Sequence, residues 1–203
     1  MELTFAAALE RLKEGNARFQ SNLKINRDLL EQVNITAAGQ KPFAVILSCI
    51  DSRTSVELIF DQGLGDVFSV RIAGNVLNED ILGSMEFACK LAGSRLIVVM
   101  GHSACGAVKG ACEGAQLGNL TGLLQKIQPA MAAVEQDGGK LPKDEFVQRV
   151  AEKNVEHVVR QIRERSPVLE TMISNGEVGI VGAMYSVQSG DVQFQDMISK
   201  QSL

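Results

Sequence analysis

The stretch that decides the fold is FAVILSCIDSR, residues 43–53. Its first half is an uninterrupted apolar run, as expected for a strand that is buried on both faces. In its second half Cys49, Asp51 and Arg53 alternate, so an extended backbone would point all three side chains the same way. A thiol, a carboxylate and a guanidinium are costly to bury together unless they serve a site. The stretch therefore predicts a buried strand that ends in a functional site.

Further apolar segments are typical of buried strands, and helical periodicity fills the intervals between them. Strands are predicted at residues 43–49, 67–72, 95–100 and 178–187, with a short edge strand at 192–194. Helices are predicted at residues 4–22, 27–38, 55–62, 79–91, 118–135, 143–165 and 167–174. This alternation favours an α/β fold, here a central, mainly parallel four-stranded sheet with an antiparallel edge strand, flanked by helices. We expect a single domain over residues 1–203, in which residues 1–39 form an N-terminal helical arm that packs on a partner subunit.

The composition argues against several classes of partner. The chain has 203 residues and a net charge of −4, with no basic run, which disfavours nucleic acid and anionic membranes. A membrane-spanning helix needs about 18 or more apolar residues in a row, and no segment has them. The four cysteines, at positions 49, 89, 105 and 112, do not resemble a secreted disulfide framework. We therefore expect a cytoplasmic protein.

A second group of reactive side chains follows the third predicted strand, in the sequence GHSAC of residues 101–105. Cys49 and the His102-x-x-Cys105 pair thus each come directly after a strand end, where α/β sheets place their ligands. Two thiolates and one imidazole suit Zn²⁺, and three protein ligands leave one coordination position open, as in catalytic zinc sites. The alternatives are a structural zinc or three unrelated core residues.

Asp51 and Arg53 add a carboxylate and a guanidinium beside Cys49. Two thiolates cancel the charge of zinc, so such a zinc should acidify bound water less than one held by neutral imidazoles. Asp51 can compensate in part by orienting a bound hydroxide, but a free carboxylate there could instead become the fourth ligand. Arg53 can hold Asp51 in a bidentate pair and prevent this. The alternative is a buried ion pair with a structural role only.

These motifs resemble those of the β-class carbonic anhydrases. The resemblance rests on CIDSR at 49–53 together with GHSACGA at 101–107. It extends to GDVFSVRIAGN at 65–75 and to LKEGNARF at 12–19, so it covers most of the chain. A C-x-D-x-R motif alone is a weak signal, whereas its combination with H-x-x-C after a strand about fifty residues later is a strong one.

The resemblance implies the reversible hydration of CO₂ to bicarbonate and a proton by zinc-bound hydroxide, a carbonate dehydratase (lyase) reaction with one Zn²⁺ per subunit. Asp51 would accept a hydrogen bond from the hydroxide, and Arg53 would hold Asp51. The implied substrate pocket consists of Gln40 from the dimer partner, Phe68, Ala73, Phe87 and Gly106. By residue type alone, Gln40 could be a surface residue and the two phenylalanines could be core residues.

The chain departs from the family pattern in places that bear on the subclass. Ile50 and Ile72 stand where Ser and Asn are more usual. A second subclass closes its zinc with the aspartate and binds bicarbonate at a non-catalytic site that uses a Trp, which this chain lacks. Arg71 and Tyr185 match only the other parts of that site. We therefore favour the open-site, Gln-containing subclass, assembled as a homodimer or homotetramer.

Two other functions are compatible with the same residues. A hydrolase of a CO₂ analogue, such as carbonyl sulfide or carbon disulfide, would use the same site with a different pocket shape. A zinc-stabilised assembly module without turnover is the non-enzymatic alternative, and the retention of Asp51 and Arg53 argues against it.

Overall fold

The computed structural model describes residues 3–137 and 141–198 of the chain. Five strands form one sheet in this part of the chain, with the bounds Ala44–Ser48 (β1), Val67–Arg71 (β2), Leu96–His102 (β3), Gly179–Tyr185 (β4) and Val192–Phe194 (β5). Their spatial order is β2-β1-β3-β4-β5. The first four strands are parallel, and β5 runs antiparallel to β4. The predicted fold class is confirmed.

Nine α-helices occur within the described residues. Their bounds are Phe5–Gln20 (α1), Leu29–Thr36 (α2), Val56–Ile59 (α3), Glu79–Glu86 (α4), Gly106–Cys112 (α5), Gly118–Gln125 (α6), Gln128–Gln136 (α7), Lys143–Arg165 (α8) and Pro167–Ser174 (α9). A short 3₁₀ turn at Ala73–Asn75 follows β2, and a π-helical segment at Phe87–Leu91 continues α4. The helices predicted at 4–22, 143–165 and 167–174 agree with the structure to within two residues.

Two predicted helices were wrong in extent. The segment at 118–135 is not one helix but two, α6 and α7, because Pro129 has no N–H to donate to a preceding turn and lies in the first turn of α7. The helix predicted at 55–62 ends at Ile59. Asp61 then adopts a left-handed backbone with φ of 45°, which is incompatible with continuing the helix.

Helices cover both faces of the sheet, and every residue of β1 is buried for that reason. Val45 and Leu47 belong to the apolar cluster formed with α4, α8 and α9. Ala44 and Ile46 belong to the cluster on the opposite face, formed with α1 and α3. The continuous apolar run at the start of the FAVILSCIDSR stretch is thus explained by burial on two sides.

The long helix α8 approaches the sheet unusually closely. A Cβ atom at Gly101 of β3 would lie 2.7 Å from Val155, and one at Gly182 of β4 would lie 2.8 Å from the same side chain. Both distances are too short for any residue other than glycine. These two glycines therefore bring the middle of α8 down onto β3 and β4.

The predicted arm, residues 1–39, attaches to the rest of the chain in two different ways; its residues 1 and 2 lie outside the described part. Helix α1 packs through buried apolar side chains such as Leu12. None of the eight residues of α2, all of them described, is buried. Polar contacts hold the segment instead, and the Asp61 carboxylate accepts hydrogen bonds from Arg18 and Arg27, each at 2.6 Å. Gln32 of α2 accepts a hydrogen bond from the Leu64 amide at 3.1 Å.

The arm exposes an apolar surface, which we call the arm face. Its large exposed side chains are Leu23, Ile25, Leu29, Leu30, Val33 and Ile35. A large number of exposed apolar side chains within one short segment favours an interaction surface over a free surface. None of the described helices has the length and apolar character needed to cross a bilayer.

Candidate metal centre

Cys49, His102 and Cys105 converge at the carboxyl ends of β1 and β3. These strands are parallel neighbours with Ser48 opposite Met100, so the residues that end or follow them meet at one rim of the sheet. The possible ligand atoms of the three residues all lie within 4.8 Å of one another, and all three residues are buried. The structure therefore brings the three predicted ligands into one candidate metal site.

The turn between His102 and Cys105 orients both ligands. Ala104 has a left-handed backbone with φ of 53°, which reverses the chain and places Cys105 at the N-cap of α5. Nδ1 of His102 lies 3.0 Å from the carbonyl oxygen of Ser103. That contact places the ring proton on Nδ1 and leaves Nε2 as the atom that can bind a metal.

The donor set fits Zn²⁺. The sulfur atoms of Cys49 and Cys105 are 4.0 Å apart. A tetrahedral zinc with Zn–S bonds of about 2.3 Å would hold two sulfurs about 3.8 Å apart. Nε2 of His102 is buried and has no hydrogen-bond partner among the described residues, an unfavourable state that metal binding would relieve. A site of this kind is typical of the zinc centres of two-cysteine, one-histidine type.

The two thiols differ in proton affinity. A hydrogen bond from Cys105 has the largest effect on Cys49 and lowers its pKa; burial opposes this, and a hydrogen bond from the Gly74 amide lowers the pKa further. The Gly74 nitrogen lies 3.3 Å from the Cys49 sulfur. The pKa of Cys105 is raised by its bond to Cys49 and by burial. Cys49 is therefore the first thiolate to form, and a bound metal would displace the second proton.

Arg53 binds both carboxylate oxygens of Asp51. Its Nε lies 2.9 Å from Oδ1, its Nη2 lies 2.8 Å from Oδ2, and its backbone nitrogen lies 3.0 Å from Oδ1. The Arg53 side chain holds the pKa of Asp51 well below its usual range, although burial opposes the effect. Asp51 is thus an ionised acceptor at neutral pH, directed toward the ligand cluster.

Two further residues, which the sequence did not assign to the site, hold the loop after Cys49. Arg71, at the end of β2, donates from Nε to the Cys49 carbonyl at 3.0 Å and from Nη2 to the Asp51 carbonyl at 2.6 Å. The Thr54 hydroxyl lies 2.9 and 2.8 Å from the same two oxygens. A threonine just before a helix predicts an N-cap, but Ser55 takes that position and Thr54 serves the loop.

Two of the predicted pocket residues lie beside the ligands. Ala73 is the first residue of the turn at Ala73–Asn75, and the amide of the next residue, Gly74, contacts the Cys49 sulfur. Gly106 directly follows Cys105 and begins α5. An added Cβ at Gly106 would meet no described atom within 4 Å, so the space beside this ligand is open.

The other three predicted pocket residues lie away from the ligands of their own chain. Gln40 is exposed and precedes β1, so the whole strand separates it from Cys49. Phe68 pairs with Val45, which places it about 13 Å along the sheet from Cys49. The rings of Phe68 and Phe87 are 6.2 Å apart and line a separate cleft of about 650 Å³ at the β2 edge. Their role in a substrate pocket stays a prediction that requires a second subunit.

Comparison with known proteins identifies the family. Residues 44–192 match the family model described as carbonic anhydrase. The chain is 39% identical over 198 residues to "Carbonic anhydrase 2" of Mycobacterium tuberculosis, which covers 95% of this chain and 93% of that protein. It is similar to the β-carbonic anhydrase CafA of Aspergillus fumigatus, with a TM-score of 0.72, 31% identity and coverage of 95% and 90%.

The fold is also similar to that of a tetrameric β-carbonic anhydrase from Sordaria macrospora. The TM-score is 0.72, the identity is 24%, and 94% of each chain is covered. The family match runs from the start of β1 to the first residue of β5 and includes all three ligands of the candidate zinc site. The chain therefore belongs to the β-class carbonic anhydrase family.

Proposed function

We propose that this chain is an open-site β-class carbonic anhydrase that hydrates CO₂ reversibly, with a substrate pocket completed by a second copy of the chain. The observation that carries the proposal is the buried Cys49–His102–Cys105 cluster beside the Arg53-bound carboxylate of Asp51. A zinc ion held by the three ligands would supply a Lewis acid that makes water a nucleophile near neutral pH.

Asp51 acts as a hydrogen-bond acceptor in this proposal. Its Oδ2 is the oxygen that approaches Nε2 of His102, at 4.0 Å, and it retains lone pairs beyond those bound to Arg53. It can therefore accept a hydrogen bond from the reacting water and orient that water toward CO₂. Because the pKa of Asp51 is held low by Arg53, the carboxylate accepts this bond without taking the proton, which passes to solvent buffer.

The contacts of Asp51 and Arg71 support the open subclass. To bind the metal directly, Asp51 would have to give up its bidentate contact with Arg53. Arg71, which matches part of the non-catalytic bicarbonate site of the closed subclass, donates to the carbonyls of Cys49 and Asp51 instead. The chain also lacks the Trp of that site.

The arm face supports a homodimer as the active unit. It carries exposed apolar side chains that a second copy of the chain would cover. Gln40, Phe68 and Phe87 do not reach their own ligand cluster, so in this proposal each subunit supplies them to its neighbour. A homotetramer, the state named for the similar Sordaria macrospora protein, would then be a pair of such dimers.

We also infer one zinc domain over residues 1–203 and a reducing, cytoplasmic location. Both ligand thiols must stay reduced to bind the metal, and all four cysteines of the chain are free. Cys89 is buried in the core, and burial raises its pKa to about 12, so its thiol is unreactive.

Stopped-flow CO₂ hydration with a pH indicator, together with zinc analysis, tests the proposal. We expect turnover and one zinc per subunit in the wild type, and loss of both in Cys105→Ser. Cys112→Ser is the matched control, because Cys112 lies at the end of the same helix but outside the metal cluster. Full activity of Cys105→Ser, or a zinc-loaded wild type that turns over carbonyl sulfide but not CO₂, would refute the proposal.

A further inference from the structure

We propose that Asn154 is a positioning residue for the metal ligand Cys49 and that it acts through the backbone of Gly74. The inference rests on the proposed function, because it concerns the contacts of a zinc ligand. Asn154 lies in the middle of α8 and is 0% exposed. Gly74 lies between it and the ligand and bonds to both residues.

Two hydrogen bonds connect Asn154 to the sulfur of Cys49. Asn154 Nδ2 donates to the carbonyl oxygen of Gly74 at 2.9 Å, and the Gly74 amide donates to the Cys49 sulfur at 3.3 Å. Gly74 has a left-handed backbone with φ of 66°, and the Asn75 amide closes the turn on the Ile72 carbonyl at 3.0 Å. The peptide that follows Gly74 is therefore held at both ends. The Gly74 N–H belongs to the preceding peptide, so its direction relative to the held peptide is set by the φ and ψ angles of Gly74.

The surroundings of Asn154 indicate that its amide is retained for this bond. The other buried residues of α8 are all apolar: Val147, Val150, Ala151, Val155, Val158, Val159 and Ile162. Oδ1 of Asn154 is buried and has no hydrogen-bond partner among the described residues. A buried acceptor without a partner lowers the stability of the fold, so an apolar side chain of similar size would cost less stability at this position than asparagine does. The presence of asparagine is therefore explained if the Nδ2 bond has a function.

The packing of α8 makes the contact possible. Val155, the residue after Asn154, fits against Gly101 and Gly182, where any Cβ would be too close to it. This close approach brings Asn154 within reach of the turn after β2. Two strand glycines and a buried asparagine thus all contribute to one contact with the Gly74 carbonyl.

The contact has a consequence for the metal. Two thiolates neutralise the charge of Zn²⁺ and weaken its effect on bound water. An N–H donated to one thiolate withdraws electron density from that sulfur and partly restores the charge felt at the metal. By fixing the Gly74 N–H, Asn154 sets both the orientation of Cys49 and the strength with which it donates to the metal.

Asn16 offers a matched control, because it is another buried asparagine that bonds to backbone groups. Its amide donates to the carbonyls of Ile59 and Gly190 at 3.2 and 2.8 Å and accepts from the Val192 amide at 3.0 Å. These partners lie outside the metal site. Asn16→Ala should therefore lower stability without changing the metal ligands.

The test uses the full-length protein with zinc replaced by Co²⁺, whose thiolate-to-metal charge-transfer band reports electron density on the bound sulfurs. Asn154→Leu retains side-chain volume and removes the donor. We expect its band to move to longer wavelength and its affinity for Zn²⁺ and Co²⁺, measured by chelator competition, to fall about 10- to 100-fold. Asn16→Ala should melt at a lower temperature and keep the wild-type band and affinity.

The inference is overturned if Asn154→Leu keeps the wild-type band position and metal affinity, or if Asn16→Ala changes them equally. Asn154→Ser, whose hydroxyl is too short to reach the Gly74 carbonyl, carries the same expectation and replaces Asn154→Leu if that variant does not fold. A wild-type protein that binds neither metal would refute the proposed function instead, so the two failures are distinguishable.

Discussion

Oδ2 of Asp51 lies 4.0 Å from Nε2 of His102, the nitrogen that is left free to bind a metal. The carboxylate is thus close to the position of the metal and is held back from it by Arg53. This relationship separates two roles that a carboxylate in this place can have. In the proposed function, Asp51 accepts a hydrogen bond from the reacting water as long as Arg53 holds it, and once released it becomes a candidate metal ligand.

Replacing Asp51 should remove turnover and leave the metal in place. In Asp51→Asn the side chain keeps its shape but loses the ionised acceptor, so we expect kcat/KM to fall roughly 10²- to 10³-fold. Zinc content should stay at one ion per subunit, because Asp51 is not one of the three ligands. Stopped-flow kinetics and zinc analysis on the same samples measure both quantities. Unchanged turnover would show that Asp51 does not orient the reacting water.

Replacing Arg53 tests whether this residue holds the Asp51 carboxylate away from the metal. It does not test whether Asp51 accepts a hydrogen bond from the reacting water. In Arg53→Ala we expect the freed carboxylate of Asp51 to enter the zinc coordination sphere, which X-ray absorption would detect as an added oxygen ligand. Activity should fall about 10-fold or more, because the open position is lost. Arg53→Lys keeps the charge without the bidentate geometry and should be intermediate. An unchanged zinc environment in Arg53→Ala would contradict the restraining role.

The parts of the site that were predictable from the sequence are those that follow from strand ends. Cys49 and His102 each end or follow an apolar run, and neighbouring parallel strands must bring such residues to one rim. The bond from Arg71 to the Cys49 carbonyl was not predictable, because it depends on the register of β2 beside β1 rather than on a local pattern. The bond from Asn154 to Gly74 spans 80 positions and depends on how closely α8 packs.

The difference between a local sequence signal and a contact between distant residues also explains the two helices whose extents were predicted wrongly. Pro129 was visible in the sequence, and its position in the first turn of α7 is where a proline is tolerated. The end of α3 had no such local signal. It is set by Asp61, whose left-handed backbone directs its carboxylate to Arg18 and Arg27 of the arm.

Removing the metal should destabilise the protein. The cluster leaves a buried histidine nitrogen without a partner among the described residues, and a metal that binds only the folded chain stabilises it by mass action. With free zinc at about 100 times its Kd, the stabilisation is about 2.7 kcal/mol, or roughly 5–10 °C in Tm. Differential scanning calorimetry before and after chelation measures the change. Restored zinc should restore Tm and activity together, and an unchanged Tm would contradict a tight site.

A charge on the arm face should separate the subunits. Leu30 is 78% exposed in the single chain, and we expect Leu30→Glu to shift the protein toward monomers in sedimentation velocity. CO₂ hydration should fall at the same time, because the proposed pocket would lose the Gln40 that a neighbouring subunit supplies, while zinc content stays the same. Leu117→Glu is the control, since Leu117 is 71% exposed but lies outside the arm. Equal behaviour of the two variants would contradict the arm as the dimer interface.

The contact between Asp61 and the arm should make stability depend on acidic pH. The Asp61 side chain is 2% exposed, and burial alone would raise its pKa, but hydrogen bonds from Arg27 and Arg18 outweigh this and hold it below the usual range. Above the unfolded pKa of about 3.9, the ionised pair contributes fully. Below it, only the unfolded chain takes up the proton, so the contribution decreases and is lost as the pH falls through the folded pKa.

Asp61→Asn isolates this contribution. At pH 7 we expect the variant to lose about 2–3 kcal/mol in the free energy of unfolding, since three hydrogen bonds to a buried charge, from Arg18, Arg27 and the Ile25 amide, are weakened. The difference from wild type should shrink as the pH falls below about 4, because the wild type then loses the same contribution. Urea unfolding at constant protein concentration measures this difference in the free energy of unfolding.

Glu164→Gln is the control. It removes an exposed ion pair with Arg160 and should change stability by less than about 0.5 kcal/mol. A difference between Asp61→Asn and wild type that stays constant with pH would show that the ion pairs do not carry the effect.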